Sequence, residues 1–180
     1  MKILGISGST RADSFNSALI RMVAANLPEH NVEVETNLAA LPFYNADIEA
    51  REIPDAVENL RQLTAESDMV VIATPEYNGT TPGVLMNAVE WLSRPHRSSA
   101  LAMKPTLVIS ASPTPGGGGR SAAHLRSVLE RIGADVSPAE FAVPRAYGAL
   151  NPETAEYRET SQRLDTLLRT VAAQSPALAG

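Results

Sequence analysis

The 180-residue chain has no cysteine. That excludes disulfides, thiolate catalysis and every cysteine-based metal site. It leaves the compartment open, although a reducing cytoplasm fits. Long hydrophobic runs are also lacking. Met1-Lys2 precedes an apolar run of strand length, too short for a signal segment, and no run reaches membrane-spanning length. The expectation is a soluble, cytoplasmic protein without a membrane partner. Basic charge is in deficit, with a net charge of −5 and a pI near 5.2. An acidic chain argues against nucleic acid as a main partner, because phosphate backbones call for a basic surface. Neither G-x-G-x-x-G nor G-K-[ST] occurs where a strand gives way to a helix, so the usual dinucleotide and triphosphate loops are missing. There is no internal repeat, linker or composition break, and a single domain over residues 1–173 is expected, with 174–180 as a frayed tail.

What is present is a regular alternation. Buried-strand runs stand at Ile3–Ser7, Asp68–Ala73 and Pro105–Ala111, and an edge-like strand at Asn31–Thr36. Helical spacing follows each of them. Leu19, Ile20, Val23 and Leu27 mark a helix from about Asn16, with Asn16 as a candidate cap. Val57, Leu60 and Leu63 mark another over Pro54–Glu66, after the irregular stretch LAALPFYNADIEA. Thr81 is expected to cap a third, with Pro82 at its first position and Ser93 near its end. Leu125, Val128, Leu129 and Ile132 mark a fourth, stopped by Gly133. A weaker strand is expected within Asp135–Val143, and a last helix over about Pro152–Ala173. The pattern predicts an α/β three-layer sandwich with a five-stranded parallel sheet in the flavodoxin-like order 2-1-3-4-5.

Ligands in such sheets bind beyond the carboxyl ends of the strands, where strand order reverses. Three loops should therefore meet: GSTRADSFN after strand 1, TPEYNGT after strand 3 and SPTPGGGG after strand 4. The first offers the hydroxyls of Ser9, Thr10, Ser14 and Ser17, the amides entering a helix, and Arg11, a set suited to a doubly charged phosphate. The same residues also compose an ordinary solvated turn with a helix cap. In the second, Tyr77 can cover a flat ring while the amides near Asn78 and Gly79 read its edge. Asn78-Gly79 is equally a tight turn with Tyr77 on its rim. The four glycines Gly116 to Gly119 allow close backbone approach to a ligand, or make a loose connection. Arg120 is a second anion partner or a surface charge.

GSTRADSFNSAL followed by PEYNGTTPGVLMNAVEWLSRP resembles the NADPH-dependent FMN reductase family of flavodoxin-like proteins, which includes quinone, azo-dye and chromate reductases. The likeness runs from Ile3 to about Ile132. It implies FMN as cofactor and NADPH or NADH as electron donor. It assigns Ser9, Arg11, Ser14, Asn16 and Ser17 to the FMN phosphate and Pro75, Glu76, Tyr77, Asn78 and Gly79 to the isoalloxazine border. Ser112 and Gly117 fall to the flavin's other edge. Met86 replaces the family's usual lysine, and Pro113 and Pro115 make the third loop atypical. The resemblance further implies a homodimer or homotetramer, with Trp91 and Leu92 as candidate contact residues or core.

The reaction implied is hydride transfer from a nicotinamide to FMN and then to a small-molecule acceptor: free flavin, a quinone, an azo compound or a metal oxyanion. The cofactor carries that chemistry, so no residue is named as a chemical catalyst and no metal is expected. His30, His96 and His124 read as surface or packing residues. The alternative is a flavodoxin-type electron carrier, disfavoured by the modest net charge and by Arg11. A receiver domain would need acidic residues at the ends of strands 1 and 3, where Ser7 and Ala73 stand. A phosphatase-type anion loop would need a cysteine.

Overall fold

A computed structural model describes residues 1–96 and 98–174. The expected tail, 174–180, lies outside them apart from the backbone of Gln174. Strands β1 (Lys2–Ser7), β2 (Asn31–Glu35), β3 (Met69–Thr74) and β4 (Pro105–Ala111) are joined by crossover helices, and every strand pair is parallel. The order is β2-β1-β3-β4-β5, as the alternation predicts.

The far edge differs from expectation. The weak strand within Asp135–Val143 is two short strands, β5 (Asp135–Val136) and β6 (Phe141–Val143), so the sheet has six strands rather than five. Both pair with β4, β5 along Pro105–Thr106 and β6 along Ile109–Ala111. Pro138 lies between them and has no N–H to donate to a ladder, which accounts for a break there.

β3 and β4 are buried along their whole length, because helices cover both faces. One core joins Ile3, Val71, Ile109 and Phe141 to α1 (Phe15–Asn26) and α7 (Ala155–Gln174). The other joins Leu4, Ile6, Val70, Ile72 and Val108 to α3 (Asp55–Glu66), α4 (Gly83–Leu92) and α5 (Gly119–Arg131). Odd and even positions of β1 thus feed opposite layers, as a pleated strand requires.

The stretch between β2 and α3 carries a 3-10 turn, Leu38–Ala40, and α2 (Ala46–Arg51). It is fastened from α4: Asn87 Nδ2 and Trp91 Nε1 donate to the Pro42 carbonyl at 3.0 and 2.8 Å, and Tyr44 N–H donates to Asn87 Oδ1 at 2.8 Å. Trp91 and Leu92 are fully buried within the chain, so they are core and not contact residues. Pro82, not Thr81, takes the cap position of α4. Thr81 donates instead to the Ser121 carbonyl at 3.2 Å. Among the described residues no helix is long and apolar enough to cross a membrane.

Candidate functional site

The loops after β1, β3 and β4 meet in one cleft of about 390 Å³, large enough to bury much of a cofactor-sized ligand. Ser9, Arg11, Ser14 and Asn16 line it from the first loop, Pro75, Glu76 and Tyr77 from the second, and Ser112 from the third. Ser17, Asn78, Gly79 and Gly117 lie outside this lining.

The first loop is held against the sheet. Gly8 N–H donates to the Ala73 carbonyl at 2.8 Å. A Cβ on Gly8 would stand 2.6 Å from Leu85 Cδ2 and 3.2 Å from the Ala73 carbonyl oxygen, so a larger residue would make Leu85 shift or push the loop away from α4. Ser14, not Asn16, caps α1: its Oγ accepts from the N–H groups of Asn16 and Ser17 at 3.1 and 3.3 Å. Asn16 turns to β4 and both donates to and accepts from the Ala111 backbone, each at 3.0 Å. Ser17 Oγ sits 2.8 Å from Ser7 Oγ in the interior. Among the described residues, the backbone N–H groups of Thr10, Ala12, Asp13 and Ser14 find no partner within the chain. They gather at the amino end of α1, where the helix dipole favours negative charge. Arg11 is exposed beside them, its guanidinium 5.5 Å from the Phe15 ring centre. This donor set suits a dianionic phosphate.

In the second loop Tyr77 and Thr80 exchange backbone hydrogen bonds at 3.1 Å around Asn78 (φ 53°) and Gly79 (φ 78°). Two left-handed residues in a two-residue connection form the tight turn that Asn-Gly favours. The turn holds Tyr77 on the cleft wall with half its surface exposed (51%). Thr80 and Thr81 in turn place their hydroxyls 2.9 and 3.0 Å from His124 Nδ1 on α5. His124 therefore anchors the turn, more than the surface or packing role read from sequence.

Glu76 is fixed by Arg120, whose Nε and Nη2 donate to the same carboxylate oxygen at 2.9 and 2.7 Å. Arg120 is thus the partner of Glu76. Its hydrogen bond holds the Glu76 carboxyl below the usual carboxylate range against the cost of burial, helped by the backbone N–H groups of Ser121 and Arg120 at the start of α5.

In the third loop Ser112 Oγ is 3.0 Å from Thr114 Oγ1, the Ser112 N–H donates to the Val143 carbonyl, and the Ser112 carbonyl accepts from the Ala146 N–H. Gly117 has φ 59°, and a Cβ there would meet the backbone of Val143 and Pro144 at 2.9 Å. It packs against the connection from β6 to α6 (Ala146–Ala149), which is why it leaves the cleft. That connection brings in a residue the sequence reading missed. Tyr147, 75% exposed, stands edge-on to Phe15 at 4.9 Å and lines the cleft with it. No local periodicity or motif marks Tyr147, whose place is set by how β6 pairs with β4.

The cleft therefore carries free amides and a guanidinium at one end, exposed aromatic rings on its walls and one fixed carboxylate. It suits a flat aromatic ligand bearing a phosphate. Among the described residues no group of three or more His, Asp or Glu is placed to hold a metal ion.

Comparison with known proteins agrees with that chemistry. Residues 1–148 match the family described as NADPH-dependent FMN reductase. An NAD(P)H-dependent FMN reductase of Pseudomonas aeruginosa is 38% identical over 138 residues, covering 77% of this chain and 73% of its own length. A quinone reductase of Escherichia coli is 37% identical over 163 residues, covering 87% and 84%. Among solved structures, the flavoenzyme NAD(P)H:(acceptor) oxidoreductase FerB of Paracoccus denitrificans superposes with a TM-score of 0.82 at 27% identity, over 94% of each chain.

Proposed function

The chain belongs to the NADPH-dependent FMN reductase family, and from that premise we propose that it is an NAD(P)H-dependent flavoprotein reductase acting on a small acceptor of the quinone or free-flavin class. The observation that carries the reading is the phosphate-type donor set of Thr10 to Ser14 with Arg11, in the same cleft as Tyr77 and Tyr147.

FMN, when bound, supplies the redox chemistry: hydride uptake from a nicotinamide and its delivery to the acceptor. The chain binds and orients. Arg11, Ser9, Ser14 and the free amides of the first loop take the phosphate. Pro75, Glu76 and Tyr77 border the ring system, with Asn78 and Gly79 shaping the turn that positions Tyr77. Ser112 contributes from the third loop. Asn16, Ser17 and Gly117 act by fixing the loops. Tyr77 and Tyr147, both exposed, shield the ring from water and leave one side for donor and acceptor in turn. The relatives named above are reductases, which favours this reading over a carrier. Residues 1–173 act as a single FMN-binding domain, and the working form is a cytoplasmic homodimer or homotetramer.

The test is an absorbance spectrum of purified protein after incubation with FMN, followed by anaerobic titration with NADPH and NADH. Stoichiometric flavin uptake and rapid bleaching are expected. A protein that stays colourless refutes the reading, and one that takes up flavin but bleaches only slowly is a carrier.

A further inference from the structure

A second cavity, of about 570 Å³, adjoins the cleft. Tyr147 and Pro113 line both, so the two spaces share a wall. The charged groups of the second are Arg145 and Arg163, with Glu156 and Glu159 on α7. Four arginines elsewhere are ion-paired, Arg61 with Glu49, Arg120 with Glu76, Arg126 with Glu140 and Arg169 with Asp165, while others such as Arg11 are not. Among the described residues, Arg145, Arg163, Glu156 and Glu159 form no ion pair with one another or with any other group. Arg163 rests only over the Phe141 ring, at 5.5 Å. Two cations and two anions lining one cavity without neutralising each other remain free for a ligand carrying both acceptors and donors.

Arg145 has a further peculiarity. It is held at φ 50°, ψ 43°, the left-handed region that costs a non-glycine residue free energy. Glycine would relieve that cost, yet the position carries a guanidinium at the mouth of a cavity.

A guanidinium meets a phosphate through two parallel N–H bonds, and a carboxylate accepts from the hydroxyls of a ribose. A bare anion would gain little here, since the carboxylates offset the arginines. A ribose bearing a phosphate would use both signs. We propose that this cavity receives the adenosine 2′-phosphate half of NADPH, with Arg145 and Arg163 on the phosphate and Glu156 and Glu159 on ribose hydroxyls. The nicotinamide end then reaches the adjoining cleft past Tyr147. The assignment rests on the cleft being the FMN site, and it makes Arg145 and Arg163 the residues that separate NADPH from NADH.

The test is calorimetric titration of the full chain, without FMN, with adenosine 2′,5′-bisphosphate, adenosine 5′-monophosphate and inorganic phosphate. Saturable binding of the bisphosphate is expected, about tenfold tighter than either comparison compound. Arg145→Gly and Arg163→Ala should each weaken it about tenfold. Arg145→Gly is chosen because glycine adopts the left-handed backbone without strain, so the guanidinium is lost and the fold kept. In the flavin-loaded enzyme both variants should lower the kcat/KM ratio of NADPH to NADH about tenfold, with FMN affinity unchanged. Absence of saturable binding, equal binding of inorganic phosphate, or indifference to both substitutions would overturn the proposal. Because the titration is done without FMN, its failure is distinct from a failure of the cleft to take up flavin.

Discussion

Asn16 on α1 and Ala111 at the end of β4 exchange two hydrogen bonds of 3.0 Å, across 95 positions of sequence and in the buried interior. The bonds tie the amino end of α1, with its free amides, to the strand from which the third loop departs. Asn16→Ala strands the Ala111 N–H and carbonyl without partners, and a buried unsatisfied group costs about 1–3 kcal/mol. A loss of about 3 kcal/mol is expected, read as a lower urea midpoint with an unchanged slope. A loss below about 1 kcal/mol would mean the pair does not fasten the loop.

Among the described residues, Arg11 provides the one guanidinium in the cleft lining. If it meets the FMN phosphate, Arg11→Ala removes a charge-assisted bond that riboflavin never makes. FMN affinity should fall about tenfold or more while riboflavin affinity is nearly unchanged. Quenching of flavin fluorescence measures both, and equal losses would place Arg11 away from the phosphate.

The strand order and the meeting of three loops were legible because β1, β3 and β4 are buried on both faces and read as continuous apolar runs. The helices were legible from Leu19, Leu60 and Leu125 and their neighbours at helical spacing. What escaped depends on partners distant in sequence. Ser14 and Asn16 are both cap-type residues, and only the proximity of Ala111 decides that Asn16 turns inward. The stretch around Pro42 has no periodicity because Asn87 and Trp91 hold it from α4. Gly117 looked like a ligand-facing glycine, but the β6–α6 backbone fills the space beside it. Tyr147 joins the cleft only once β6 has paired with Ile109–Ala111.

The Glu76–Arg120 bond gives the cleft a defined pH response. The folded-state pKa of Glu76 is depressed below its ordinary value of 4.5. Its contribution to stability is therefore fully present above pH 4.5, and is lost as pH falls below that value through the folded pKa. Glu76→Gln should cost about 1 kcal/mol at neutral pH, as a partly exposed ion pair at a helix amino end. The gap in thermal midpoint between wild type and variant should narrow as pH drops below 4.5. A gap independent of pH would show that the carboxylate charge is not what the site uses.

The glycine run after β4 separates two kinds of position. Gly116 has nothing within 4 Å of a built Cβ, whereas at Gly117 the backbone of Val143 and Pro144 stands 2.9 Å away and φ is 59°. Gly116→Ala should leave stability within about 0.5 kcal/mol of wild type. Gly117→Ala should cost about 2 kcal/mol or more, since backbone cannot yield as a side chain can. Comparable denaturation midpoints for the two variants would contradict this packing.

His124 tests whether α5 holds the Tyr77 turn. Its Nδ1 faces the hydroxyls of Thr80 and Thr81 at 2.9 and 3.0 Å, and Thr81 also donates to the Ser121 carbonyl. His124→Ala frees the Thr80 hydroxyl, leaves Thr81 only its bond to the Ser121 carbonyl, and loosens the Tyr77–Thr80 backbone pair, so the amides of Tyr77 and Thr80 should exchange with solvent faster. A bond of about 1 kcal/mol corresponds to a loss of about fivefold in kcat/KM. His124→Asn places an amide near the position of Nδ1 and should restore much of both. If neither exchange nor kcat/KM responds to the alanine, the turn is held by Asn78-Gly79 alone and His124 has no positioning role.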